Sequence, residues 1–243
     1  MARFFVEQEE LQGKSIVLKG ENAEHAKVLR LKVGETVIVC DGQGTECVCS
    51  VADTSAGQFT LSVEEQMASA SEASVNVSVY MAYAKGDKLE HVIQKATELG
   101  AFEIVAFPSS RCVSKPDDKS IRKKVERWQK IALSAAQQSG RGRIPAIRTV
   151  SSYAGAVVDA AKADLAILFY ENEQATTLGM AMETFKGHTI SLMSGPEGGF
   201  EPQEVTEAMQ GGMQICTLGK RILRCETAPL CALSAVMYAV GEF

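Results

Sequence analysis

From Val75 onward, short apolar runs alternate with helical stretches, and this restricts the possible folds more than any other feature of the chain. The runs cover 77–83, 104–107, 165–170, 190–193 and 215–218. The helical stretches cover 89–99, 121–138, 153–161, 178–185, 201–209 and 226–240. Continuous apolar runs of this length predict strands buried on both faces. Their alternation with helices predicts an α/β fold with a parallel sheet covered on both sides. Ligands in such sheets bind beyond the carboxyl ends of the strands, so function is to be sought in the loops that follow them.

Residues 1–66 are patterned differently. Alternating runs at 3–6, 15–18, 36–40, 46–51 and 58–63, broken by turn chemistry such as Asp41-Gly42-Gln43-Gly44, predict short strands. One helix over 21–31 interrupts them, with Ala23, Ala26, Leu29 and Val33 on one side. Several short strands and one helix predict a small β-barrel. The stretch MASASEAS at 67–74 reads as a polar linker. Two domains are therefore expected, over 1–70 and 75–243.

Composition excludes several classes. With 46% apolar and 23% charged residues the chain is neither disordered nor fibrous. No apolar run approaches the ~20 residues of a bilayer span. The start, MARFFVEQEE, is too acidic for a secretion signal, so no membrane association and a cytoplasmic location are expected. Seven cysteines without CxxC spacing and three histidines (His25, His91, His188) in no ligand pattern predict reduced thiols and no metal site. The net charge of −5 argues weakly against nucleic acid until the charges are located. Residues 111–148 carry 11 basic and 3 acidic side chains, against 6 and 12 in 1–75 and 5 and 11 in 149–243. Such a run is either a solvated helix face or a phosphate-binding surface.

Two strand-terminal loops stand out. The first is Ser194-Gly195-Pro196-Glu197-Gly198-Gly199-Phe200, and the second runs from Gly219 through Arg224 to Thr227. Glycines let backbone N–H groups approach a ligand closely. Neither loop is GxGxxG or a Walker sequence, which argues against a Rossmann-type oxidoreductase. Each alone reads as a tight strand–helix turn; together, after successive strands, they point to one pocket.

The segments 194–200 (SGPEGGF) and 218–228 (LGKRILRCETA) resemble the paired signature of SPOUT-superfamily RNA methyltransferases, and specifically the ribosomal RNA small subunit methyltransferase E family. Segments 25–35 (HAKVLRLKVGE), 88–100 (KLEHVIQKATELG), 110–115 (SRCVSK) and 134–145 (SAAQQSGRGRIP) resemble other family segments, in the right order. The chain departs from the family at Gln137, where Glu is usual, at Ser114, where Val is common, and at Lys220, where proline is frequent.

The resemblance implies a PUA-like RNA-binding β-barrel followed by a SPOUT-type, trefoil-knotted methyltransferase domain. It implies methylation of N3 of one uridine of 16S rRNA in the 30S subunit, with S-adenosylmethionine (SAM) as donor, no metal, and a homodimer. SAM is expected on Leu168, Gly195, Pro196, Glu197, Gly198, Gly199, Leu218, Gly219, Ile222, Leu223 and Arg224. Backbone groups of these loops would recognise adenine and ribose, and the leucines and Ile222 would give apolar cover. Glu197 would bond within its loop, face the sulfonium, or sit favourably at a helix N-terminus. RNA phosphates are expected on Arg30, Lys32, Arg111, Lys115, Arg122, Lys123, Arg127, Arg141 and Arg143. Methylating uracil N3 develops negative charge on the base, which Arg224 is expected to stabilise unless it pairs with Glu226. Glu226 fits a proton acceptor or a helix cap, and no general base is assigned. Trp128 is expected in the core. The stretch 226–240 is apolar nearly all round, so it is expected at a subunit interface or buried within one subunit. The competing readings are a ribose 2′-O SPOUT enzyme and a non-catalytic RNA-binding protein with a degenerate pocket.

Overall fold

The computed structural model describes residues 1–55, 58–114 and 116–243. The chain forms two compact units, one of residues 1–72 with 136–144, the other of 73–135 with 145–243.

In the first unit, β1 (Ala2–Phe5), β2 (Ser15–Leu18), β3 (Thr36–Cys40), β4 (Thr45–Asp53) and β5 (Phe59–Ala68) form one sheet in the order β1-β3-β4-β5-β2. Only β1 and β3 pair in parallel. Two bulges of β4 against β5, at Val48/Cys49 and Val51/Asp53, bend and twist the sheet. The alternation then places Phe4, Ile16, Val37, Val39, Cys47, Cys49 and Leu61 in a common core.

Three expectations need correction here. The helix α1 (Gly20–Val28) stops before Arg30, whose φ of 56° is left-handed and ends the helical path. Its two and a half turns bury only Ala26, while Leu29 and Val33 lie 44% and 60% exposed. The supposed linker is structured at both ends: Met67 and Ala68 continue β5, paired with Glu46 and Thr45. Further along it, Glu72 accepts hydrogen bonds from Arg141 Nη2 (2.6 Å) and from the Gly142 and Arg143 N–H groups (3.0 Å each). These bonds fasten the 136–144 segment into this unit.

In the second unit, β6 (Asn76–Ala82), β7 (Glu103–Phe107), β8 (Ala146–Thr149), β9 (Leu165–Phe169), β10 (Thr189–Ser194) and β11 (Gln214–Cys216) form a wholly parallel sheet, ordered β11-β9-β10-β6-β7-β8. The edge strand β8 escapes the apolar pattern because it is four residues long, two of them polar. All five residues of β9 are buried, as expected of a strand covered on both faces. The helices are α2 (Lys88–Glu98), α3 (Asp118–Ser139), α4 (Tyr153–Ala160), α5 (Leu178–Glu183), α6 (Pro202–Gln210) and α7 (Thr227–Ala239). Both α7 and α4 pack on β6 and β10, α7 together with α2 and α4 together with α6. Trp128 on α3 is 3% exposed, a core residue as expected.

Helix starts follow local chemistry. Ser152 and Thr177 cap α4 and α5 by accepting from Gly155 N–H and Met180 N–H. Glu201 and Glu204 form a reciprocal capping box at α6, with Pro202 in its first turn.

Candidate active site

The strands β6, β10, β9 and β11 lie side by side, so the loops after them open at one edge of the sheet. There the two glycine loops meet around a cavity of about 560 Å³. Gly195, Pro196, Glu197, Gly198 and Gly199 line it from the first loop, and Leu218, Gly219, Ile222, Leu223 and Arg224 from the second. Leu168 does not: it is fully buried inside β9, and the neighbouring Phe169, Tyr170 and Glu171 reach the cavity instead. Side chains alternate along a strand, so the residue carrying the family position can sit one place from the one that faces the ligand.

The first loop is a tight turn closed by Gly199 N–H on Pro196 O (3.0 Å). A Cβ at Gly195 would lie 3.2 Å from the Gly199 carbonyl carbon and 3.3 Å from the Phe200 ring, so the turn would have to give by a few tenths of an ångström to take one. Arg111 clamps the loop from outside. Its Nε and Nη2 bind the two Glu201 carboxylate oxygens at 2.7 and 3.0 Å, and its Nη1 donates to Gly198 O at 2.8 Å. Glu204, 5% exposed, accepts from Ser110 N–H at 2.8 Å and ties the same two segments together.

In the second loop, the Thr217 hydroxyl bonds the N–H and carbonyl of Gly219 (3.2 and 3.3 Å). Gly219 has φ +101° with open space at its Cβ position. The loop ends where Arg224 O accepts from Thr227 and Ala228 N–H. Among the described residues, the N–H groups of Leu218, Ile222 and Leu223 donate to no protein acceptor, which leaves them available to a ligand.

Lys88, at the start of α2, joins the loops. Its Nζ lies 3.0 Å from Glu197 Oε1, 3.7 Å from Glu226 Oε2 and 3.8 Å from Cys225 Sγ. Glu197 also accepts from Lys85 N–H (2.9 Å). Burial alone would raise the Glu197 carboxyl, but the Lys85 N–H and the Lys88 ammonium hold it below the ordinary carboxylate range. Glu197 is thus held from the segment where β6 leads into α2, by Lys85 and Lys88, rather than by side-chain bonding to the rest of its own loop. Glu226 stands at the N-cap of α7 without a side-chain capping bond. It accepts instead from Cys225 Sγ at 3.2 Å, and burial pushes that thiol up to about 12. A carboxyl held low and a thiol held high are both poorly matched to taking a proton near neutral pH. Arg224 is exposed and makes no ion pair or side-chain hydrogen bond among the described residues, so the pairing with Glu226 is not formed. Lys88, Tyr170, Glu171 and Cys225 escaped the sequence reading. The neighbouring placement of β6, β9 and β10 brings the first three to the glycine loops, while Cys225 lies in the second loop itself.

The expected RNA contacts separate into two groups. Arg30, Lys32, Arg122 and Lys123 are exposed. Arg111 is clamped on Glu201, and Arg127 pairs with Glu90 at 2.5 Å. Arg141 is a correction: it is 3% exposed with its guanidinium on Glu72, because a buried cation must be paired. Arg143 donates to Gln43 O at 2.6 Å. Lys115 lies outside the described residues. Among the described residues no group of three or more His, Cys, Asp or Glu is placed to hold a metal, and no helix is long and apolar enough to cross a membrane. The cysteines are all free.

Residues 71–237 match the family model of the RNA methyltransferase domain, and 18–64 that of the RNA methyltransferase PUA domain. The chain is 36% identical to ribosomal RNA small subunit methyltransferase E of Bacillus subtilis, over 98% of this chain and 96% of that protein. It resembles the crystal structure of ribosomal RNA small subunit methyltransferase E from Neisseria gonorrhoeae bound to SAM, with a TM-score of 0.86 and 29% identity over 98% of this chain and 97% of that one. It is also similar to a putative methyltransferase of Legionella pneumophila in complex with SAM, with a TM-score of 0.85 and 28% identity over 98% and 97% of the two chains.

Proposed function

Since the chain belongs to the ribosomal RNA small subunit methyltransferase E family of RNA methyltransferases, we propose that it transfers a methyl group from SAM to N3 of one uridine of 16S rRNA in the small ribosomal subunit. The observation that carries this reading is the meeting of both glycine loops in one cavity, with the unpaired guanidinium of Arg224 at its lining. The residues present suit the cofactor. Backbone N–H groups without protein acceptors, and a glycine with open space at its Cβ position, fit adenine and ribose polar atoms. Leu218 and Leu223 supply apolar cover. SAM, when bound, supplies an electrophilic methyl group on a sulfonium.

The chain's residues must favour loss of the N3 proton from a weakly acidic imide. Arg224 stabilises the negative charge that spreads over N3, O2 and O4 as the proton leaves. Lys88 neutralises Glu197 and Glu226 and holds the two loops in register, and Arg111 fixes the glycine turn from behind. The 1–70 domain is assigned to RNA binding and the 75–243 domain to catalysis. The partners are 16S rRNA or the 30S subunit and a second copy of the chain, in the cytoplasm.

The test is to incubate the protein with labelled SAM and unmethylated 30S subunits or naked 16S rRNA, then map the modified nucleotide. A label on uracil N3 supports the reading. A label on a ribose 2′ oxygen assigns the chain to the alternative SPOUT chemistry, and RNA binding without transfer makes it a non-catalytic binder.

A further inference from the structure

Resting on that reading of the site, we propose that the 219–224 loop is itself a contact for the substrate RNA. Lys220 and Arg221 hold phosphates beside the target nucleotide, and Ile222 covers a neighbouring unstacked base.

Only five basic residues follow position 148, and three of them, Lys220, Arg221 and Arg224, fall in this loop. All three are exposed, and none makes an ion pair or side-chain hydrogen bond among the described residues. Several cations elsewhere are neutralised: Arg111, Arg127, Arg141, Arg148 and Lys88 sit on carboxylates. Three unpaired cations within five residues repel one another, and a polyanion removes that repulsion. A second copy of the same loop would add to it. The loop's ends are fixed by Thr217 on Gly219 and by Arg224 O on α7, so its tip is presented rather than slack. At that tip Ile222 is 86% exposed, the most exposed large apolar side chain described.

The position fits an RNA strand at the reaction centre. N3 lies on the Watson–Crick edge of uracil, so the target must be unpaired and drawn out of its stack before a methyl group can reach it. A cation-bearing loop at the cavity mouth then meets the flanking backbone, and an aliphatic side chain shields the base left behind.

The experiment compares wild type with Lys220→Ala/Arg221→Ala, measuring SAM affinity by calorimetry and binding of protein-free 16S rRNA across a salt series. SAM affinity should stay within about twofold, because the cofactor is assigned to backbone groups. RNA affinity should fall roughly 25-fold at about 0.1 M salt, and the slope of log affinity against log salt should shrink by about 1.4, as for two lost single-strand phosphate contacts. Ile222→Ser should weaken RNA binding with the slope unchanged. An unchanged slope and affinity in the double variant overturns the proposal, as does a drop in its sedimenting mass, which would make the loop a subunit contact. Wild-type protein that binds neither SAM nor RNA overturns the methyltransferase reading instead.

Discussion

At the scale of single residues, the two loop glycines are required for different reasons. Gly219 has φ +101°, a backbone conformation that a branched side chain occupies only under strain, although nothing lies within 4 Å of a Cβ there. Gly195 has an ordinary φ, but a Cβ there would press tightly on the Gly199 backbone, 3.2 Å from its carbonyl carbon. Gly219→Val and Gly195→Val should therefore both abolish SAM binding in calorimetry; folded variants with wild-type affinity would place the cofactor elsewhere. In the proposed mechanism Arg224 acts on the reaction rather than on cofactor affinity. Arg224→Ala should lower the single-turnover methylation rate by roughly 10²-fold, as on losing one oxyanion-stabilising group. A rate near wild type at saturating RNA removes Arg224 from the mechanism.

Among the elements, the N-terminus of α6 shows how a local cap becomes part of a site. Glu201 and Glu204 satisfy the first turn of the helix, and the same carboxylates also take Arg111 and Ser110 N–H. The hydrogen bond from Arg111 holds the Glu201 carboxyl below its ordinary range. A carboxyl depressed by folding contributes stability that is complete above its unfolded value, about 4.3, and is lost as pH falls through the lower folded value. Glu201→Gln should thus lower the urea midpoint at neutral pH, and the two proteins should converge as pH falls through the lowered folded value. A difference that is constant across pH would mean that the ion pair is not its source.

For the whole molecule, α7 decides what kind of assembly is available. Pro229, Ala232, Leu233, Val236 and Met237 are buried within the chain, while Cys231, Ala235 and Tyr238 form an exposed stripe at helical spacing, Tyr238 being 74% exposed. Intrachain packing thus covers one side of a helix that reads as apolar all round. In the proposed homodimer the other side would meet its own copy across a two-fold axis. Ultracentrifugation at micromolar concentration should give about twice the 26.1 kDa chain mass, and Tyr238→Asp should shift it towards the monomer. A wild-type monomer with full methylation activity would sink the dimer.

The alternation of apolar runs and helices, the two glycine loops after strands and the burial of Trp128 could be read from the chain alone, because periodicity and turn chemistry are local properties. The short edge strand β8 could not, since four residues give no periodic signal. Nor could the exposed side of α1, because hydrophobic spacing over nine residues does not say which face meets the core. Charge was the least legible property. Summed by window, 111–148 is the basic address, yet Arg111 and Arg141 are held by Glu201 and Glu72, from distant parts of the chain. The cations left unpaired beside the cavity lie in a segment whose sum is acidic. Lys88 reaches Cys225 across 137 residues of sequence only because β6 pairs with β10. Which charges are neutralised, and which strands are neighbours, depend on contacts between residues far apart in the chain, and those are settled only when the sheet assembles.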